Sequence, residues 1–187
     1  MARLPRLSVP GYPHLILQRA SHGQPLFEND ADYAFLHGLL VVQAREHEVA
    51  LHAYVLLHDR FQLLLTPTGP QGMARLMQGV GRSYVRHYNA RAGRTGTLWE
   101  GRFRSTVLQP DAWLLDAMVH LDLGPVRASL VQEPADWTWS SHGHYIGRRS
   151  APLVTSPAPY WELGNTPFAR ELAYAQRVAA GLPSARE

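Results

Sequence analysis

Two apolar runs, Leu51–Leu57 (LHAYVLL) and Phe61–Leu65 (FQLLL), stand only three residues apart, and this spacing constrains the chain more than any other feature. Both are rich in strand-favouring residues, and His58, Asp59 and Arg60 leave room only for a tight turn, so the pair reads as a β-hairpin. A short run before it, His14–Arg19, follows Pro10, Gly11 and Pro13 and reads as a first strand. Between them, Tyr33, Leu36, Leu40 and Ala44 recur at helical spacing. They predict a helix over Asp30–Glu48, capped by Asn29 or Asp30.

After the hairpin, Thr-Pro-Thr-Gly-Pro leads into a second helix, Gln71–Arg91. Met73, Leu76, Met77, Val80, Tyr84 and Tyr88 fall on one side of it and read as core. Arg75, Arg82 and Arg86 lie within about 40° of one another at about 100° per residue, opposite that stripe. The loop Ala92–Gly101 carries Gly93, Gly96 and Gly101 and reads as flexible. Phe103–Leu108 predicts another strand, and Asp111–Leu123 a third helix with Asp111 as N-cap, stopped at Gly124-Pro125. Trp137-Thr-Trp139-Ser-Ser precedes a Pro-rich linker, Ala151–Pro159, and Thr166-Pro167 opens a last helix to about Ala180. The order βαββαβα predicts an α+β fold of ferredoxin-like or RRM-like type, an antiparallel sheet with helices on one face. The expected organisation is one domain over 1–150, with the linker and C-terminal helix of 151–187 packing on it.

The chain has 187 residues and no cysteine, which excludes disulfides, thiolate zinc sites and a cysteine nucleophile. No apolar run approaches the ~18 residues of a membrane span, and the start lacks a signal-peptide stretch. A cytoplasmic, nucleoid-associated protein is expected. All 18 basic residues are arginines, a bias that a GC-rich genome also produces. Their positions carry more weight. From Arg75 to Arg104 seven arginines (Arg75, Arg82, Arg86, Arg91, Arg94, Arg102, Arg104) meet one acid, Glu100. The rest of the chain sets eleven arginines against fourteen acids. Such asymmetry is the electrostatic footprint of nucleic-acid binding, and guanidinium forks suit phosphate.

Four further stretches make the chain recognisable. Leu51-His-Ala-Tyr-Val-Leu-Leu57, Gly101-Arg-Phe-Arg-Ser105, Pro125-Val-Arg-Ala128 and Trp137-Thr-Trp-Ser-Ser141 occur in that order after an opening MARLPRL…PGYPH. In this the chain resembles the REP-associated tyrosine transposases, a branch of the single-strand HUH transposases, from Ala2 to about Gly181. The resemblance implies a sheet with helices on one face and single-stranded DNA beside a palindromic hairpin as substrate. It also implies Mg²⁺ or Mn²⁺ held by a His-hydrophobic-His pair on the second hairpin strand. A tyrosine on the third helix would be the nucleophile, with a polar ligand four residues on.

At those positions the sequence departs from the family. Where the histidine pair belongs stand Arg60 and Gln62; His120 holds the tyrosine position and Gly124 that of the polar ligand. A guanidinium has no lone pair for a metal but can itself meet a phosphate. The expectation is therefore a pseudoenzyme without a metal cofactor that binds DNA hairpin or single strand. Its contacts would be Arg19, Arg60, Arg75, Arg82, Arg86, Arg91, Arg94, Arg102 and Arg104, with His120 in the former cleft. A homodimer is compatible with the family. Two alternatives stay open: a working nickase with a rebuilt site and a protein-interaction module. The rebuilt site would use His58, Asp59, His120 and Asp122 for metal, or Tyr84, Tyr88 or His120 as nucleophile. His14, His52, His142 and His144 read as structural. Trp137 and Trp139 read as core anchors, with base stacking by one of them as the alternative.

Overall fold

The hairpin forms and outgrows its apolar runs. In the computed structural model, which describes residues 7–182, β2 covers Val49–Leu57 and β3 covers Arg60–Pro67, with Leu57 opposite Arg60. Only His58 and Asp59 make the turn, and the chain beyond the first strand clasps it: Ala20 N–H donates to the Asp59 carbonyl (2.8 Å) and Leu26 N–H to that of His58 (2.7 Å). β1 (His14–Arg19) runs antiparallel beside β3, and β4 (Arg104–Val107) antiparallel along the other edge of β1. The sheet order is therefore β2-β3-β1-β4. The crossovers are α1 (Asp30–Glu46), from β1 to β2, and α2 (Gly72–Ala92), from β3 to β4. This is the ferredoxin-like order of the split βαβ unit.

Both crossover helices cover one face of the sheet, as the pattern requires. Tyr33, Leu36, Leu40 and Ala44 of α1 and the six-residue stripe of α2 are all buried against Ile16, Phe61, Leu63 and Leu65. Asn29 supplies the cap of α1, its side chain accepting the Asp32 N–H at 3.1 Å. The glycine-rich connection after α2 is pinned rather than loose. Asn89 Nδ2 donates to the Gly96 carbonyl (2.8 Å), Leu98 is buried, and Trp99 bridges to Ala20.

The second face is covered too, over its β2–β3 half. α3 (Pro110–Asp122) and the one-turn α4 (Gly124–Arg127) pack there with α5 (His142–Tyr145), α6 (Ala158–Trp161) and α7 (Pro167–Ala180). Pro110 takes the favoured first helical position of α3, so the N-cap position falls on Gln109, without a side-chain cap bond, and not on Asp111 as expected, which lies within the helix. At Gly124-Pro125 the chain turns into α4 rather than ending its helical course. Burial on both faces explains why β2 reads as a continuous apolar run rather than an alternating one. A bulge between Leu51 and Ala53 shifts the phase. Val49 and Leu51 point to the α1/α2 side; beyond the bulge Tyr54 and Leu56 do so, while Ala53, Val55 and Leu57 face α3.

The segments around the tryptophans close the exposed edge of β2. Leu56 N–H donates to the Trp139 carbonyl (2.9 Å), Trp137 Nε1–H to the Leu56 carbonyl (3.0 Å), and Thr155 N–H to the Leu51 carbonyl (2.7 Å). Covering an edge this way satisfies groups that would otherwise template pairing with another chain. Trp139 also stacks on Tyr33 (5.2 Å between centroids), so both tryptophans serve as anchors. α7, capped by Thr166, docks on α3 through a buried network in which Asp122 Oδ2 accepts from Tyr174 Oη (2.7 Å) and meets His142 Nδ1 (2.9 Å).

Candidate nucleic-acid interface

Cross-strand partners in an antiparallel sheet share a face, and the register puts charge together on the α3 face. Arg19 pairs with Arg60, and Arg60 with Leu57; one step along, Arg104 pairs with Leu17, Leu17 with Gln62, and Gln62 with Val55. Since Val55 and Leu57 face α3, so do Arg19, Arg60, Gln62 and Arg104. α3 and α4 cover only the β2–β3 half, and Arg19 and Arg104 are exposed beyond them. Arg60 is half-buried, with one contact to Asp59 at 3.4 Å.

The four positions singled out in sequence meet at the margin of this face. A Cβ on Gly124 would lie 3.7 Å from both Leu57 Cδ1 and Val55 Cγ1, which sets it over the strand next to Arg60 and Gln62. His120 stands at the surface one turn earlier, and Arg127 reaches back from α4 to donate to the His120 carbonyl. Partial burial and then the Arg127 charge hold the His120 imidazole below its ordinary pKa. Burial and the neighbouring Arg60 lower the Arg127 pKa. Arg127 thus joins Arg60 and His120, a member that charge counting missed, although it lies within the Pro125-Val-Arg-Ala128 stretch. Asp122 does not join them: it is fully buried and turned toward α5 and α7. Tyr84 and Tyr88 are core residues whose hydroxyls donate to the Leu26 carbonyl and to Glu28 Oε1, and burial raises both their pKa values.

The α2 arginines occupy the other side of the sheet. Arg75, Arg82 and Arg86, with Arg102 opposite, line a groove of about 880 Å³ between α2 and the segment 97–103. None of the four has an ion-pair partner among the described residues. Arg102 also borders a small depression with Arg19, Arg104 and the single acid Glu100, so the two basic surfaces meet at the β4 edge. The stretch that reads as one patch in sequence is therefore two surfaces and a remainder. The remainder is Arg91 and Arg94. Arg91 lies five residues beyond Arg86, about 140° around the helix. It forks onto the buried Asp32 (Nε–Oδ1 3.0 Å, Nη2–Oδ2 2.9 Å) and reaches Glu28 at 3.0 Å. Arg94 donates to Gln24 Oε1 at 2.7 Å.

The four histidines that read as structural, His14, His52, His142 and His144, have structural partners. His52 sits in the β2 bulge between the Thr155 carbonyl and Thr66 Oγ1, each at 2.8 Å, and His14 meets the Tyr12 carbonyl at 2.7 Å. His142 is the buried partner of Asp122, and His144 accepts the Ala151 N–H at 3.3 Å.

No family model and no curated protein matches the chain. Among solved structures, that of a REP-associated tyrosine transposase bound to a REP hairpin superposes with a TM-score of 0.65, at 15% identity, over 85% of this chain and 93% of that one. This chain has the fold of that transposase. A proposed transposase from Deinococcus radiodurans R1 aligns at 20% identity over 71% of this chain and 94% of that one, with a TM-score of 0.42. The sequence resemblance implies a divalent cation beside β3. The residues present do not fit one: Arg60 offers no lone pair and repels a cation, Gly124 offers no side chain, and Arg127 adds a second positive charge. No helix among the described residues is long and apolar enough to cross a membrane.

Proposed function

We propose that this protein binds single-stranded DNA beside a hairpin and does not cleave it. The observation that carries this reading is the Arg19–Arg60 pair. Two arginines directly opposite on adjacent strands bring like charges together; Asp59 lies 3.4 Å from Arg60, and Glu100 borders the depression beside Arg19. A phosphate between them would relieve that repulsion through charge-assisted hydrogen bonds, each worth roughly 1.5–3 kcal/mol. Arg127 and neutral His120 extend the same site, and Arg104 and Arg102 lead from it over the β4 edge. The fold supports the choice of polymer, since a transposase of this fold has been solved bound to a REP hairpin. Loss of cleavage follows from chemistry: with guanidiniums in place of a metal and no tyrosine at position 120, neither a Lewis acid nor the nucleophile implied by the family is at hand.

The test is the salt dependence of binding to a hairpin with a single-stranded flank. Seven arginines (Arg19, Arg60, Arg75, Arg82, Arg86, Arg102 and Arg104), each meeting one phosphate, give a log–log slope of about −5, at about −0.7 per phosphate. A slope near zero removes the binding reading. Incubation of the same DNA with Mg²⁺ or Mn²⁺ tests the other half. A covalent adduct, or a cleaved product that vanishes in His120→Ala, overturns the non-cleaving assignment.

A further inference from the structure

The groove beside α2 has a composition that phosphate contacts alone do not account for. Besides Arg75, Arg82, Arg86 and Arg102, its lining includes Trp99, Phe61, Met77 and Val85, and no acidic side chain. Its volume of about 880 Å³ falls in the roughly 300–1,000 Å³ range of small-ligand pockets. Trp99 is held in place from several sides. Its indole N–H points to the Gly81 carbonyl at 3.4 Å, and the Phe61 and Tyr84 rings lie 6.0 Å away, centroid to centroid. A Cβ on Gly81 would lie 3.4 Å from Trp99 Nε1, in ordinary van der Waals contact, so the indole packs directly on that turn of α2. The ring remains half-exposed on the groove.

We infer that this groove receives an unpaired nucleotide of the bound strand, its base against Trp99 and its flanking phosphates on Arg82, Arg86 and Arg102. An aromatic surface with permanent positive charge around it and no carboxylate is complementary to a base carrying phosphates, and to little else of that size. A base within a duplex is stacked on both faces and has none to offer. The groove therefore selects unpaired over paired DNA, while the sheet face grips backbone of either kind. The inference rests on the DNA-binding reading above and adds to it which chemical part of the strand enters this side of the protein.

The experiment compares the full chain binding an oligothymidylate with its binding an abasic strand of equal length. The two carry the same phosphates and differ only in bases. One base stacked on the indole makes the oligothymidylate bind about 5- to 150-fold more tightly. Irradiation of a strand carrying 5-iodouracil then places the adduct in the tryptic peptide 95–102, which contains Trp99. Equal affinities, or adducts confined to other peptides, overturn the groove assignment and leave phosphate binding standing. Failure of both strands to bind overturns the groove and the DNA-binding reading together.

Discussion

Arg19 and Arg60 face each other across β1 and β3 as direct cross-strand partners, the last residue of one strand against the first of the next. Folding alone does not favour this pairing, because like charges opposite one another on a sheet are destabilising. Arg60→Gln is expected to weaken DNA binding and to reduce the magnitude of the salt slope by about 0.7. Its melting temperature should hold or rise at low salt. Calorimetry beside a binding isotherm separates the two effects; unchanged affinity with a lowered melting temperature would assign Arg60 a structural role through Asp59.

Arg91 should behave in the opposite way. Its guanidinium satisfies Asp32, which is fully buried, also receives the Glu28 N–H (2.9 Å) and has His87 Nε2 3.6 Å from Oδ1. Arg91→Gln is expected to cost about 1.5–3 kcal/mol, the scale of hydrogen bonds to a charged group, while the salt slope stays where it was. Urea denaturation measures the first and the salt titration the second.

The Asp122–Tyr174 bond is the buried polar tie between α3 and α7, beside an exposed Arg177–Asp116 ion pair at 2.7 Å. Tyr174→Phe removes one of the two partners of Asp122 Oδ2, and Asp122 Oδ1 has none among the described residues. The expected loss is about 1–3 kcal/mol, the cost of leaving a buried group short of a hydrogen bond. Amide exchange should localise the change to α7 and α3, sparing β1 and β4.

Acid should weaken the fold through its histidines. His14, His37, His52, His120 and His144 all have pKa values lowered by burial. Below their ordinary value near 6.5 the unfolded chain binds protons that the folded chain resists. Their contribution is thus full above about pH 6.5 and declines as pH falls through that value toward the lower folded-state pKa values. Melting temperatures from pH 8 to pH 5 should fall over the acid half of that range. His52→Asn, which keeps a polar side chain in the bulge, should flatten the decline; an identical decline in the variant would remove His52 from the account.

Much of the architecture was legible locally. Strand β1, the start of α1 with its Asn29 cap, the core stripe of α2 and the Thr166 start of α7 follow from periodicity, capping and turn chemistry, which act over a few residues. The four altered positions, Arg60, Gln62, His120 and Gly124, were also readable, because their neighbours resemble a known pattern. What stayed hidden depends on contacts across the fold. Pattern alone did not say that β2 would be buried on both faces, since the helices that cover its second face lie more than fifty residues further along.

By itself, then, the sequence determined the element order, the core stripes and the identity of the residues at the family's site positions. Tertiary structure decided what the arginines face. Helical phase turns Arg82 and Arg86 into a groove and Arg91 onto Asp32, and sheet register sets Arg19 against Arg60. The physical reason is one of range. Propensity and capping are settled within a turn or a strand, whereas the field at a guanidinium is set by whichever distant carboxylate or second guanidinium the packing brings within a few ångströms.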